Sequence, residues 1–115
     1  MAGYKLTVRD GPKVVRDDYD SLDAALEALR EWAERIGAEG GLPEVKTLRT
    51  YGPEQRVKAR IELTSGGTLR RGRTAGVDVM GDGSVVPFAG GMVRKPLEAP
   101  AGGSAYDAVA EAMGR

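Results

Sequence analysis

The chain has 115 residues, a length that suits one domain over residues 1–115, and its 17 basic residues balance 17 acidic ones. It contains no cysteine and no histidine, which excludes a disulfide framework, a thiolate nucleophile, a sulfur-ligated zinc site and the commonest general base. Asparagine is also absent, as heat adaptation favours, although a codon bias towards alanine, glycine and arginine explains that equally well.

Residues 4–9 (YKLTVR) alternate apolar and polar side chains, the period of a strand with one buried face. Asp10-Gly11-Pro12 is turn chemistry, and residues 13–19 read as the returning strand of a hairpin. The period then changes. Leu22, Ala25, Leu26, Leu29, Trp32, Ala33 and Ile36 recur at steps of three and four, which lines one face of a helix over residues 21–36. Asp20 or Ser21 can cap its start, Asp23 suits its first turn, and Gly37 offers a stop.

Residues 38–43 read as a loop and residues 45–51 as a short strand ended by Gly52-Pro53. Residues 56–63 (RVKARIEL) are the clearest strand, with Val57, Ala59, Ile61 and Leu63 facing the core and the charges facing away. Residues 69–79 and 85–88 flank a turn at Gly81-Asp82-Gly83, and residues 92–97 suggest a further strand whose Pro96 marks a sheet edge. Ser104 caps a final short helix striped by Tyr106, Val109, Ala110 and Met113. The order β-β-α-β-β-β-(β)-α predicts an α+β two-layer sandwich, an antiparallel sheet of about five to six strands with both helices on one face. Leu22, Leu26, Leu29, Trp32, Ile36, Val57, Ile61 and Leu63 are its expected core.

Residues 67–74 (GTLRRGRT) stand one letter from the phosphate-loop pattern. Such a loop needs a strand before it and a helix after it, so that backbone N–H groups and the helix N-terminus converge on phosphate. Here residues 75–79 continue with strand periodicity, and Arg73 replaces the lysine. The nucleotide reading fails on context. Residues 78–83 (DVMGDG) resemble a calcium loop, yet Met80 and Ala89 fall where oxygen ligands are required. A hairpin turn explains them better. Asp17, Asp18, Asp20 and Asp23 crowd a helix start, where capping and the helix dipole account for carboxylates without invoking catalysis. No cofactor or metal is implied.

Arg71 and Arg73 are the anomaly, because strict alternation into Ala75, Val77 and Val79 would bury them. A bulge at Gly72 or Gly76 resets the register, or the arginines lie beyond the covered end of the sheet, or they line an anion pocket.

Charge is segregated along the chain. Residues 1–16 and 45–74 are basic, with net charges of +3 and +6, whereas residues 17–44 carry −7 and the remainder −2. Lys5, Arg9, Arg56, Lys58 and Arg60 fall on the non-core faces of their strands, so the face left bare by the helices is expected to be basic. The favoured function is a non-enzymatic module that binds a second copy of itself, as a homo-oligomer, or another protein. Val14 or Val15, Phe88 and Met92 are candidates for the accompanying apolar contact. Nucleic-acid binding by the same face is the first alternative, weakened by the lack of aromatics beside Lys58 and Arg60. An Arg71/Arg73-lined ligand or enzyme pocket is the second. No 18-residue apolar run occurs, so no membrane association is expected and a cytoplasmic location is.

Overall fold

Turn chemistry sets the first hairpin. Strands β1 (Tyr4–Asp10) and β2 (Lys13–Tyr19) pair antiparallel with Asp10 opposite Lys13, which leaves Gly11-Pro12 as a two-residue turn. Gly11 adopts φ 60°, and the ring of Pro12 fixes its own φ near −65°, the combination of a type II′ hairpin turn. The computed structural model describes residues 3–39, 57–66, 72–90 and 94–114; the expected strand at 45–51 lies outside them, as do Arg56, Arg71 and Met92.

Helix α1 (Leu22–Ala38) begins where its sequence says it should, with the Ser21 hydroxyl accepting the Ala24 N–H at 3.1 Å. Its end differs from the expectation at Gly37, because the helix runs through that residue to Ala38. The carbonyl of Ile36 accepts hydrogen bonds from the ammonium of Lys58 at 2.9 Å and the N–H of Glu39 at 3.2 Å. Those donors satisfy the helix terminus without a left-handed residue. A second helix, α2 (Ala105–Ala112), starts in a capping box: Ser104 N–H donates to the Asp107 carboxylate at 2.8 Å and Asp107 N–H donates back to the Ser104 hydroxyl.

Strands β3 (Val57–Ser65), β4 (Thr74–Met80), β5 (Val85–Ala89) and β6 (Lys95–Pro96) complete one six-stranded sheet of order β2-β1-β3-β4-β5-β6, antiparallel throughout. Since β1 pairs with both β2 and β3, α1 must carry the chain from the edge strand back across the sheet. Its face and that of α2 meet the sheet residues Leu6, Val8, Ala59, Ile61, Leu63, Ala75, Val77 and Val79 in one buried cluster. Leu29, Ile36 and Val109 fill it from the helix side. The architecture is the expected α+β sandwich with both helices on one face, and β6 is the Pro-marked edge. Of the expected core, Leu22 and Trp32 pack only partly buried against the cluster.

Val57 is a correction. It is 46% exposed rather than buried, because the β3–β4 register shifts between Val57 and Ala59. A bulge there makes Lys58 the extra residue and breaks the alternation that the sequence suggests. The register then runs without interruption through Gly76, so no bulge resets β4. Thr74, the last residue of the stretch 67–74, opens that strand in place of the helix that a phosphate loop requires. Among the described residues no helix is long and apolar enough to cross a membrane.

Candidate functional site on the uncovered sheet face

The sheet face opposite the helices carries no second layer among the described residues. Its side chains follow from the strand register in three rows and a further Val57–Met80 pair beyond the bulge. Asp18, Lys5, Thr64 and Thr74 form the first, and Arg16, Thr7, Glu62, Gly76, Phe88 and Pro96 the second. Val14, Arg9, Arg60, Asp78 and Val86 form the third.

The β3–β5 half of this face is locked. Arg60 grips Asp78 on the neighbouring strand with two hydrogen bonds, Nε to Oδ1 at 2.7 Å and Nη2 to Oδ2 at 3.3 Å, and both side chains are mostly covered. That fork is the main reason the guanidinium is held above its ordinary pKa; burial works against it. Arg94 reaches Glu62 at 3.3 Å. Between the two arginines lies Phe88, whose ring centroid is 5.7 Å from the Arg60 guanidinium and 5.5 Å from that of Arg94. Gly76 stands opposite Phe88 and has no side chain to compete for the ring's space; a Cβ there would also overlap the β3 backbone at Ile61 and Glu62. Phe88 is thus the large aromatic of the uncovered face and yet only 4% exposed.

The β1–β2 half is different. Lys5, Arg9 and Arg16 are exposed and form no ion pair among the described residues. Arg9 lies directly across from Arg60, an opposition of like charges that folding alone does not favour. Val14 and Val86, 42% and 40% exposed, close the third row at its two ends. Counting the paired residues, the face holds the cations Lys5, Arg9, Arg16, Arg60 and Arg94 against the carboxylates Asp18, Glu62 and Asp78, a net of two positive charges.

The residues singled out from sequence divide accordingly. Lys5, Arg9 and Arg60 lie on this face. Lys58 does not: the bulge turns it to the helix layer, where it meets Ile36 and, at 3.5 Å, Glu39. Arg73 is exposed just before β4, at the end of the sheet, and its guanidinium packs against Gly114 past the C-terminus of α2, where the helix dipole favours a cation. It therefore lies beyond the covered end of the strand rather than on the buried face. Val14 points outward as one of its pair had to, while Val15 packs on the core. Periodicity alone does not mark Arg16, Arg94 and Val86; strand pairing is what brings them to this face.

Both outer edges of the sheet are blunted among the described residues. On β2 the Asp17 carboxylate accepts the backbone N–H of Asp18 at 3.2 Å and the Tyr19 hydroxyl at 3.4 Å, so an outward donor is already occupied. The opposite edge, β6, has two residues, one of them Pro96. The face can thus offer apolar contact and positive charge. Among the described residues no group of three or more carboxylates is placed to hold a metal. Compared with protein-family models, with curated proteins and with solved structures, the chain has no significant match.

Proposed function

We propose that this chain is a non-enzymatic protein-interaction module whose binding surface is the uncovered sheet face. The observation that supports it most is the division of that face: an ion-paired half that holds its shape without a partner, beside a half whose Lys5, Arg9 and Arg16 form no ion pair among the described residues. A preorganised surface loses little entropy on binding, and unpaired cations steer an acidic partner to it. Val14 and Val86 add the apolar contact that charge alone does not supply. The blunted edges favour docking on the face over strand addition.

Nucleic-acid binding has less support. Single-stranded recognition relies on aromatic side chains that stack on bases, and Phe88 is covered by two guanidinium groups and almost without exposure.

The test compares proteins retained by the immobilised wild type with those retained by Arg9→Glu/Arg16→Glu/Val86→Asp, all three positions being exposed. Partners held by the wild type and lost by the variant are the expected result. Equal retention by both overturns the reading. RNA bound at about 50 mM salt, where phosphate contacts are strong, and released by the same variant would assign the face to nucleic acid instead.

A further inference from the structure

We infer that the occupant of this face is the α1–α2 layer of a second copy of the chain, an inference that rests on the face being a binding surface. The outward side of the helices is the complement of the sheet. It presents Asp23, Glu27, Glu31, Glu34, Asp107 and Glu111 against the two guanidinium groups of Arg30 and Arg35. Those two are engaged locally: Arg30 with Glu34 at 3.0 Å and over the Tyr106 ring at 5.8 Å, Arg35 over the Trp32 ring at 4.8 Å. A net of four negative charges on one layer thus faces away from a net of two positive charges on the other.

Between the helices lies an open cleft of about 280 Å³ lined by Asp23, Glu27, Arg30, Tyr106 and Asp107. Asp23 and Glu27 are one turn apart on α1, about 5–6 Å between Cβ atoms, and Asp107 faces them from α2 while also holding the Ser104 capping box. On the sheet, Arg16 stands opposite Thr7, midway between Lys5 and Arg9 on the adjacent strand. Arg16 thus stands about 7–8 Å from each of them on the diagonal, while Lys5 and Arg9, four positions apart on one strand, are separated by about 13 Å. The cleft sets Asp23, Glu27 and Asp107 against the single guanidinium of Arg30, a local excess of negative charge.

Two sheet faces in contact bring net positive surfaces together, and two helix layers bring net negative surfaces together. The head-to-tail contact brings surfaces of opposite net charge together. Such a contact is heterologous, so it continues into a chain of copies unless its rotation closes a ring.

Sedimentation and light scattering, with circular dichroism to confirm folding, test this on three proteins: the wild type, the face variant Arg9→Glu/Arg16→Glu, and the helix variant Glu27→Lys/Glu31→Lys. All four altered side chains are exposed. The wild type should gain mass with concentration between about 1 μM and 1 mM, a range that spans weak association. It should lose that gain at about 1 M salt, where the screening length is near 3 Å. Each variant alone should remain monomeric, and an equimolar mixture should associate again, because the acidified face of one fits the basified helices of the other. A monomeric wild type throughout overturns the inference. A helix variant that associates as the wild type does, while the face variant fails to, also overturns it and leaves the face as a binding surface. If both variants associate unchanged, the inference and the binding reading fall together.

Discussion

Truncating Leu29 to alanine tests the core and, paired with Val57→Ala, tests the bulge. Leu29 has no exposed surface and sits at the centre of the α1 face that meets the sheet. Its companions on that face include Ala25, Ala28 and Ala33, and the sheet offers Ala59 and Ala75. These methyl groups are too short to collapse into the vacated space, so the cavity persists and the cost falls in the upper part of the usual range, about 3–5 kcal/mol. At this chain length that corresponds to a fall in Tm of roughly 12–20 °C. Val57 is also a β3 apolar residue, but it is 46% exposed on the far side of the bulge, so Val57→Ala should cost at most about 0.5 kcal/mol. Urea unfolding followed by the fluorescence of Trp32, the one tryptophan, reads both values; an unchanged slope with a shifted midpoint identifies a stability effect. A cost under about 1 kcal/mol for Leu29→Ala, well below the cavity range, or equal costs for the two variants, would rule out this packing.

Lys58→Met keeps the covered stem but removes the ammonium that bonds the Ile36 carbonyl, and should cost about 1–3 kcal/mol; Glu39→Gln, at the exposed end of the same contact, should cost under about 0.5 kcal/mol. Equal costs in urea unfolding would refute the capping role. Gly76→Ala should destabilise by about 1–3 kcal/mol through the clash with the β3 backbone, with a loss of amide-exchange protection at Ile61 and Glu62; a neutral result refutes the close approach. Ser84 donates both its hydroxyl and its N–H to the Asp82 carboxylate, which holds that group below its ordinary pKa. The resulting stabilisation is complete above the unfolded-state value, about 3.9, and is lost as pH falls through the lower folded value. Ser84→Ala should therefore raise the Asp82 pKa in an NMR titration and reduce stability at neutral pH but not in strong acid; an unmoved Asp82 refutes the assignment.

Local chemistry in the sequence determined the elements. Ser21 and Ser104 as caps, Gly11-Pro12 as a two-residue turn and the three-to-four spacing from Leu22 to Ile36 act within a few residues, so the chain states them directly. The alternation through Ala59, Ile61 and Leu63 likewise named a buried face before any partner strand was known. Tertiary structure decided what depends on neighbours distant in the chain. The bulge at Val57–Ala59 is a relation between two strands, and it sent Lys58 to cap α1 and let that helix pass Gly37. Pairing of β3, β4 and β5 set Arg60 on Asp78 and brought Arg94 over Phe88, 28 positions beyond Arg60 and six from Arg94. Those contacts turned a face that reads as uniformly basic into a neutralised half and a cationic half. Periodicity assigns a side chain to a face, but only strand register chooses its neighbour across the sheet, and the neighbour decides whether a charge is paired or free to bind.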